Sequence, residues 1–98
     1  MPGRTPLDAA QVAAALPGLP GWAHAGGRLE KAFAFADFRA AFAFLVRVAF
    51  EAEALDHHPE ITNVYNRVTL ALSTHDAGDV VTEMDLALAG RIEAIAPR

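Results

Sequence analysis

Pro59 divides the chain into two hydrophobic periods. Upstream, Phe38, Phe42, Leu45, Val46, Ala49 and Phe50 recur at three- and four-residue steps, with Arg39, Arg47 and Glu51 on the other side, which is the period of an amphipathic helix. Downstream, Val64, Asn66, Val68, Leu70 and Leu72 alternate with Tyr65, Arg67, Thr69, Ala71 and Ser73, the period of a half-buried strand. A proline cannot continue a helix and pushes the residue before it out of the α region, so His57-His58 is both a helix exit and a strand entry. Side chains of neighbouring extended residues point to opposite faces, which gives the two histidines different surroundings. A chain that holds both periods within 98 residues is an α+β domain.

The remaining elements follow from local signals. Thr5-Pro6-Leu7-Asp8 reads as a helix start, with Thr5 as cap and Pro6 in the first turn, and the helix runs to about Leu16 with Ala9, Val12, Ala13 and Leu16 inward. Pro17-Gly18-Leu19-Pro20-Gly21 ends it. Trp22 to Ala25 and Arg28 to Phe35 read as strands joined by the Gly26-Gly27 turn. The long helix spans Asp37 to Leu55, and two strands fill Glu60 to Tyr65 and Arg67 to Thr74. Thr82 opens the last helix in a capping box with Asp85, and Met84, Leu88, Ile92 and Ile95 form its stripe. Leu86, Ala87 and Ala89 widen that stripe, which marks this helix as the predicted subunit interface. The order α-β-β-α-β-β-α gives a four-stranded antiparallel sheet with three helices packed on one face, and residues 1–98 form a single domain.

Composition excludes several functions. Eight basic against twelve acidic residues, a formal charge of −4 and no Lys/Arg cluster leave no footprint for nucleic acid or an anionic membrane. No run approaches the roughly 20 apolar residues of a membrane span, and the amino terminus lacks the pattern of a signal peptide. The absence of cysteine removes disulfides and thiol nucleophiles and suits a reducing, cytoplasmic setting. With 53% hydrophobic residues the chain carries more apolar surface than a lone small domain covers, so a homo-oligomer is expected.

Three of the four histidines, His57, His58 and His75, bracket the alternating segment. Imidazole exchanges protons near neutral pH, so three of them together supply acid–base capacity. Seventeen residues separate His58 from His75, and one straight strand of that length holds its ends roughly 55 Å apart. A shared site therefore requires a reversal near Tyr65-Asn66-Arg67.

Asp56-His57-His58-Pro59, Asn63-Val64-Tyr65-Asn66-Arg67-Val68, Ser73-Thr74-His75 and Asp85-Leu86-Ala87, together with Leu16-Pro17 and Gly21-Trp22, resemble the pterin-4a-carbinolamine dehydratases over nearly the whole chain. The resemblance implies loss of water from 4a-hydroxytetrahydropterin to give quinonoid dihydropterin, which recycles the cofactor of aromatic amino acid hydroxylases. It implies a homodimer or homotetramer, a pterin as substrate, no cofactor of its own, and a hydroxylase as a possible partner. By the same carry-over His57, His58 and His75 are the catalytic set, with His57 and His75 as acids and His58 as base. Asp56, Glu53, Thr74 and Ser73 orient the imidazoles or bind the pterin edge. Ile61 departs from the pattern, standing where animal members carry Trp, which bears on the shape of the pocket wall.

Weighed without the resemblance, any one histidine is more often structural than catalytic, and His24, outside the pattern, reads as a surface residue. Three imidazoles with Asp56 are conceivable zinc ligands, but adjacent histidines rarely reach one ion, so no metal is expected. Tyr65 and Trp22 are more simply core residues than stacking platforms. The rival function is a non-catalytic binding or assembly module, since members of the family are known as partners of a homeodomain transcription factor and in the assembly of other enzymes.

Overall fold

The computed structural model describes residues 3–97. The elements are α1 (Ala9–Ala15), β1 (Ala23–Ala25), β2 (Arg28–Ala34), α2 (Phe38–Leu55), β3 (Glu60–Val64), β4 (Arg67–Leu72) and α3 (Glu83–Ile95), with short 3-10 turns at Leu16–Gly18 and His75–Ala77. The four strands form one antiparallel sheet in the order β1-β2-β4-β3. Alternation places Leu29 of β2 and Val68, Leu70 and Leu72 of β4 on the face that the helices cover, and all four are fully buried. The other face carries Ala32, Ala34, Thr62, Val64, Arg67 and Thr69.

Two local expectations need correction. The first helix is capped by Asp8 and not Thr5: Asp8 accepts from the Gln11 N–H at 2.8 Å while the Gln11 side chain accepts from the Asp8 N–H at 2.9 Å. Two donors satisfied reciprocally outweigh the single bond a threonine cap offers. Ala9 and Ala13 are exposed, and Val12 alone of that helix is buried.

The second correction concerns α2. Its core face is Ala41, Phe44, Leu45, Val48, Ala52 and Leu55, turned by roughly 120° from the predicted stripe. Phe38, Phe42, Val46 and Phe50 are instead 48%, 51%, 43% and 69% exposed. The helix is apolar on two adjacent faces, and the one on which Phe44 meets Phe33 and Phe35, at ring-centroid distances of 4.9 and 5.1 Å, is the one buried. By contrast α3 spends its apolar residues inside the monomer. Met84, Leu88, Ala89 and Ile92 are buried, and Leu86 and Ala87 pack against the same core. The exposed large apolar side chains therefore lie on α2 and on the β3–β4 hairpin, at Ile61, Val64 and Tyr65, not on α3 as its wide stripe predicted.

Trp22 is core, with its indole N–H donating to Glu93 at 3.0 Å. Glu93 also pairs with Lys31 at 2.7 Å, whose ammonium lies 4.9 Å from the centre of the Phe33 ring. Among the described residues no helix is long and apolar enough to cross a membrane.

The Gly26-Gly27 turn does more than reverse the chain. Gly27 has φ +75°, and a Cβ there would lie 2.8 Å from the Asp79 carbonyl oxygen, on the loop that follows His75. The turn thus packs backbone to backbone against that loop. Gly27→Ala should cost about 2 to 3 kcal/mol, combining left-handed strain with the clash, whereas Gly26→Ala, with φ +60° and open space, should cost only about 1 to 2 kcal/mol. Urea unfolding of the two variants measures the difference, and equal costs would show that the contact with Asp79 is without effect.

Candidate active site

The β3–β4 hairpin brings the histidines together. Tyr65-Asn66 is a two-residue turn, Tyr65 adopting φ +53°, and the register pairs Val64 with Arg67 and Glu60 with Ala71. The Asn63 side-chain NH₂ holds the turn by donating hydrogen bonds to the Tyr65 and Arg67 carbonyls at 3.2 and 3.0 Å, and that of Asn66 donates to the Phe35 carbonyl at 3.0 Å. Continuing the pairing outward from Glu60 and Ala71 sets His58 near Ser73, so the helix exit and the end of β4 reach the same end of the sheet. Tyr65, 63% exposed, marks the opposite end. It is neither core nor part of the histidine site.

Asp56 divides the roles of the histidine pair. It ends α2 in the left-handed conformation, φ 50° and ψ 46°, which an aspartate tolerates better than most side chains. The chain turns sharply there, sending the His57 ring inward, 5% exposed, while His58 stays in solvent. His58 Nε2 lies 2.6 Å from Glu53 Oε1, one turn back on α2.

Beneath His57 is a closed polar network. His57 Nε2 is 2.5 Å from Asp85 Oδ1. Asp85 Oδ2 accepts from the Thr74 hydroxyl and from the Thr82 N–H, both at 2.8 Å. Thr74 has only one hydroxyl proton, so its 2.7 Å contact with Thr82 is donated by Thr82, whose oxygen also accepts the Met84 N–H at 3.2 Å. Asp85, Thr74 and Thr82 are each fully buried. Asp85 already accepts two hydrogen bonds at Oδ2, and the His57 tautomer that continues this acceptor role at Oδ1 carries its hydrogen on Nε2. Among the described residues no fully buried side-chain nitrogen or oxygen lacks a partner, and Nδ1 has none, so Nδ1 reaches the cavity above it.

That cavity has a volume of about 340 Å³ and is lined by Arg4, Asp56, His57, His58, Ser73, His75 and Asp76. Its size suits a small bicyclic ligand. Two larger hollows, of about 400 Å³ on the open sheet face and about 700 Å³ beside α3, contain no histidine. Chemistry and not volume singles out the smaller one. Of the residues expected at the site, His57, His58, His75, Asp56 and Ser73 line the cavity; Glu53 reaches it through His58, and Thr74 lies beneath it, its hydroxyl spent on Asp85. Ile61, 44% exposed, is not among the lining side chains, and His24 lies away on β1. Among the described residues no three His, Asp or Glu side chains stand as a metal-binding group.

Three residues at the site, Asp76, Asp85 and Arg4, were not read from the sequence as site residues, Asp76 standing there only as part of a polar connection. Asp85 was legible only as a capping-box acid, a role it does perform, and the fact that the same carboxylate turns inward depends on the tertiary approach of α2. Arg4 belongs to no period and gave no signal.

His75 sits on the 3-10 turn at the cavity rim, its Nδ1 2.9 Å from Asp79 Oδ1. The hydrogen bond to Asp79, that carboxylate's charge, and the more distant charge of Asp76 together raise its pKa above the ordinary imidazole value of 6.5. The ring therefore keeps its proton at pH values where an ordinary histidine has lost it, and gives it up only as pH passes the raised value. Removing the largest cause with Asp79→Asn should move the His75 titration, followed by NMR, to lower pH. Because both side chains are exposed, added salt should shrink the shift in the parent protein. A titration midpoint unchanged in Asp79→Asn would remove Asp79 as its cause.

The model of the family described as pterin 4 alpha carbinolamine dehydratase matches residues 5–95. A protein of Opitutus terrae is 54% identical, with 93% of this chain and 94% of that one aligned, and one of Rhizorhabdus wittichii is 50% identical over 93% and 95%; both are named as candidate pterin-4-alpha-carbinolamine dehydratases. The crystal structure of a transcriptional coactivator/pterin dehydratase from Brucella melitensis superposes with a TM-score of 0.89 at 40% identity, covering 95% of this chain and 100% of that one. Matched along almost its full length by sequence and by fold, the chain belongs to the pterin 4 alpha carbinolamine dehydratase family.

Proposed function

We propose that the protein is a hydro-lyase that eliminates water from 4a-hydroxytetrahydropterin to give quinonoid dihydropterin. The observation that carries this reading is the convergence of three imidazoles on one cavity from two chain segments joined by a hairpin. In the elimination the C4a–O bond breaks, an acid gives a proton to the departing hydroxyl, a base takes the proton from N5, and a C4a–N5 double bond forms. One acid and one base suffice. His57, through Nδ1, and His75, with its raised pKa, are assigned the acid side, and His58, backed by Glu53, the base side. Asp56 and Ser73 are assigned to the pterin's donor and acceptor edge, and Thr74 to orienting His57 through Asp85. The reaction is one step in recycling the tetrahydropterin that aromatic amino acid hydroxylases use, its quinonoid product being returned to the tetrahydro level by a separate reduction, with such a hydroxylase as upstream partner and the cytoplasm as compartment.

The test is the rate at which freshly generated 4a-hydroxytetrahydropterin loses water with and without the protein. An unaccelerated reaction in the presence of folded protein would overturn the enzymatic reading.

The exposed stripe of Phe38, Phe42, Val46 and Phe50 supports a homodimer or homotetramer assembled through α2. Sedimentation of Phe42→Glu against the parent chain tests it, and a parent that sediments as a monomer would refute it. A second reading, a protein-binding module, draws on the naming of the Brucella protein as a transcriptional coactivator. It predicts no acceleration of dehydration, so the same assay separates the two.

A further inference from the structure

The cavity contains one side chain for which the elimination has no use. Arg4, in the extended segment ahead of α1, lines it beside Asp56, His58 and Asp76. One guanidinium nitrogen donates to the Asp56 carbonyl oxygen at 3.3 Å. Among the described residues no carboxylate lies within ion-pair distance of Arg4, so the rest of its donor fork is uncommitted.

We infer that Arg4 is a substrate-positioning residue whose guanidinium donates to the ring carbonyl of a pterin held among the histidines. The inference rests on the reading of this cavity as a pterin site. The pyrimidine half of a pterin presents a ring N–H and an exocyclic amine, two donors, beside one carbonyl acceptor. A carboxylate meets the two donors as a fork, and the cavity offers Asp56 and Asp76 for that. The carbonyl then requires a donor. The imidazoles are occupied with proton transfer, the Ser73 hydroxyl is neutral, and Arg4 is the one permanently charged donor among the described lining residues.

The chemistry also says where the effect belongs. A guanidinium on the carbonyl lies away from both the C4a–O bond that breaks and the N5–H that is deprotonated. Its contribution is the same in the bound substrate and in the transition state, so it lowers KM and leaves kcat alone. The competing account is that Arg4 only caps the carboxyl end of α2, where a cation meets free carbonyls. A cap affects stability and not ligand affinity.

The experiment uses the full chain and two unreactive probes, 6,7-dimethylpterin and 2,4-diamino-6,7-dimethylpteridine, in which an amine replaces the carbonyl and N3 loses its hydrogen, so the effect of each Arg4 variant is read within one probe against the parent chain. Arg4→Ala should weaken binding of the pterin about tenfold, the scale of one partly exposed charged hydrogen bond. Arg4→Lys should lose less, and Arg4→Ala should leave the diamino probe within about twofold of the parent. KM for 4a-hydroxytetrahydropterin should rise in parallel while kcat stays within about threefold. Equal losses for both probes, or a lowered Tm with unchanged Kd, would overturn the inference. A parent chain that binds the pterin in an Arg4-dependent way without accelerating dehydration would uphold it while removing the enzymatic reading. A parent chain that binds neither probe would overturn the inference together with the pterin reading of the site.

Discussion

Asp85→Ala should destabilise the protein by about 3 to 5 kcal/mol, the cost of removing one partner of a buried, hydrogen-bonded pair. Asp85 accepts from the His57 ring, the Thr74 hydroxyl and the Thr82 N–H, and Thr74 and Thr82 are fully buried and His57 nearly so. Each donor left unpaired costs about 1 to 3 kcal/mol, so the network fails together and not bond by bond. A domain of this size holds only about 5 to 15 kcal/mol in total, and 1 kcal/mol moves its Tm by about 4 to 8 °C. A fall in Tm of roughly 15 °C or more is expected by calorimetry. A fall below about 5 °C would mean that the network contributes little to the fold.

Asp85→Asn separates stability from chemistry. Its amide oxygen can still accept from Thr82 and Thr74, which keeps the α3 cap, but its NH₂ then faces His57 and forces Nε2 to become an acceptor. The neutral ring must move its proton to Nδ1, the nitrogen that reaches the cavity. To act as an acid through Nδ1 while Nε2 donates to residue 85, the ring must carry both protons, and the amide removes the negative charge that faces that cation; a neutral ring N–H is a far weaker acid than an imidazolium. A loss of about 100-fold or more in dehydration rate, with most of the stability retained, is the expected result. Nitrogen NMR of the ring reports the tautomer directly, and an Asp85→Asn variant that remained fully active would show that the orientation of His57 is not part of the reaction.

The parts of the fold readable in the sequence are those in which one signal has one solution. Pro59 sets the limit that α2 cannot pass, Gly26-Gly27 reverses β1 into β2, the alternating segment breaks at Tyr65-Asn66, and Thr82 with Asp85 starts α3 as a capping box. Ambiguity entered where a segment satisfied two faces at once. Along α2 both Phe38-Phe42-Val46-Phe50 and Ala41-Phe44-Val48-Ala52-Leu55 have helical spacing, and only packing against Phe33 and Phe35 chooses between them. Likewise the broad stripe of α3 is broad because it packs into the monomer core, against α2. At the site, the three histidines were visible as residue types, and the hairpin was inferred from the distance it had to close. That His57 goes inward follows from the left-handed Asp56, and a backbone conformation of that kind on a non-glycine residue leaves no trace in sequence. Asp85 was masked by its second role, and Arg4 by the lack of any pattern around it.

The second large effect is expected in the histidines themselves. His75 is exposed and bonded only to Asp79, so His75→Ala removes its proton without disturbing the fold, and dehydration of 4a-hydroxytetrahydropterin should slow by roughly 100-fold or more, the range of a positioned general acid. His57 needs a subtler change. Alanine there would strand the Asp85 carboxylate in the core and confound rate with stability, whereas His57→Gln can still donate an N–H towards Asp85 but cannot titrate. A similar loss in His57→Gln, at a Tm near that of the parent, would place the lost rate in proton transfer. His58→Ala, exposed and paired only with Glu53, should slow the reaction by the same order if it takes the N5 proton. The pattern also orders the double variant: an acid and a base acting in one step lose little more together than either does alone, because the reaction falls to its uncatalysed route once one is gone. Multiplying losses in His58→Ala/His75→Ala would instead mean that the two histidines act in separate steps, and the assignment of a concerted acid and base would fall.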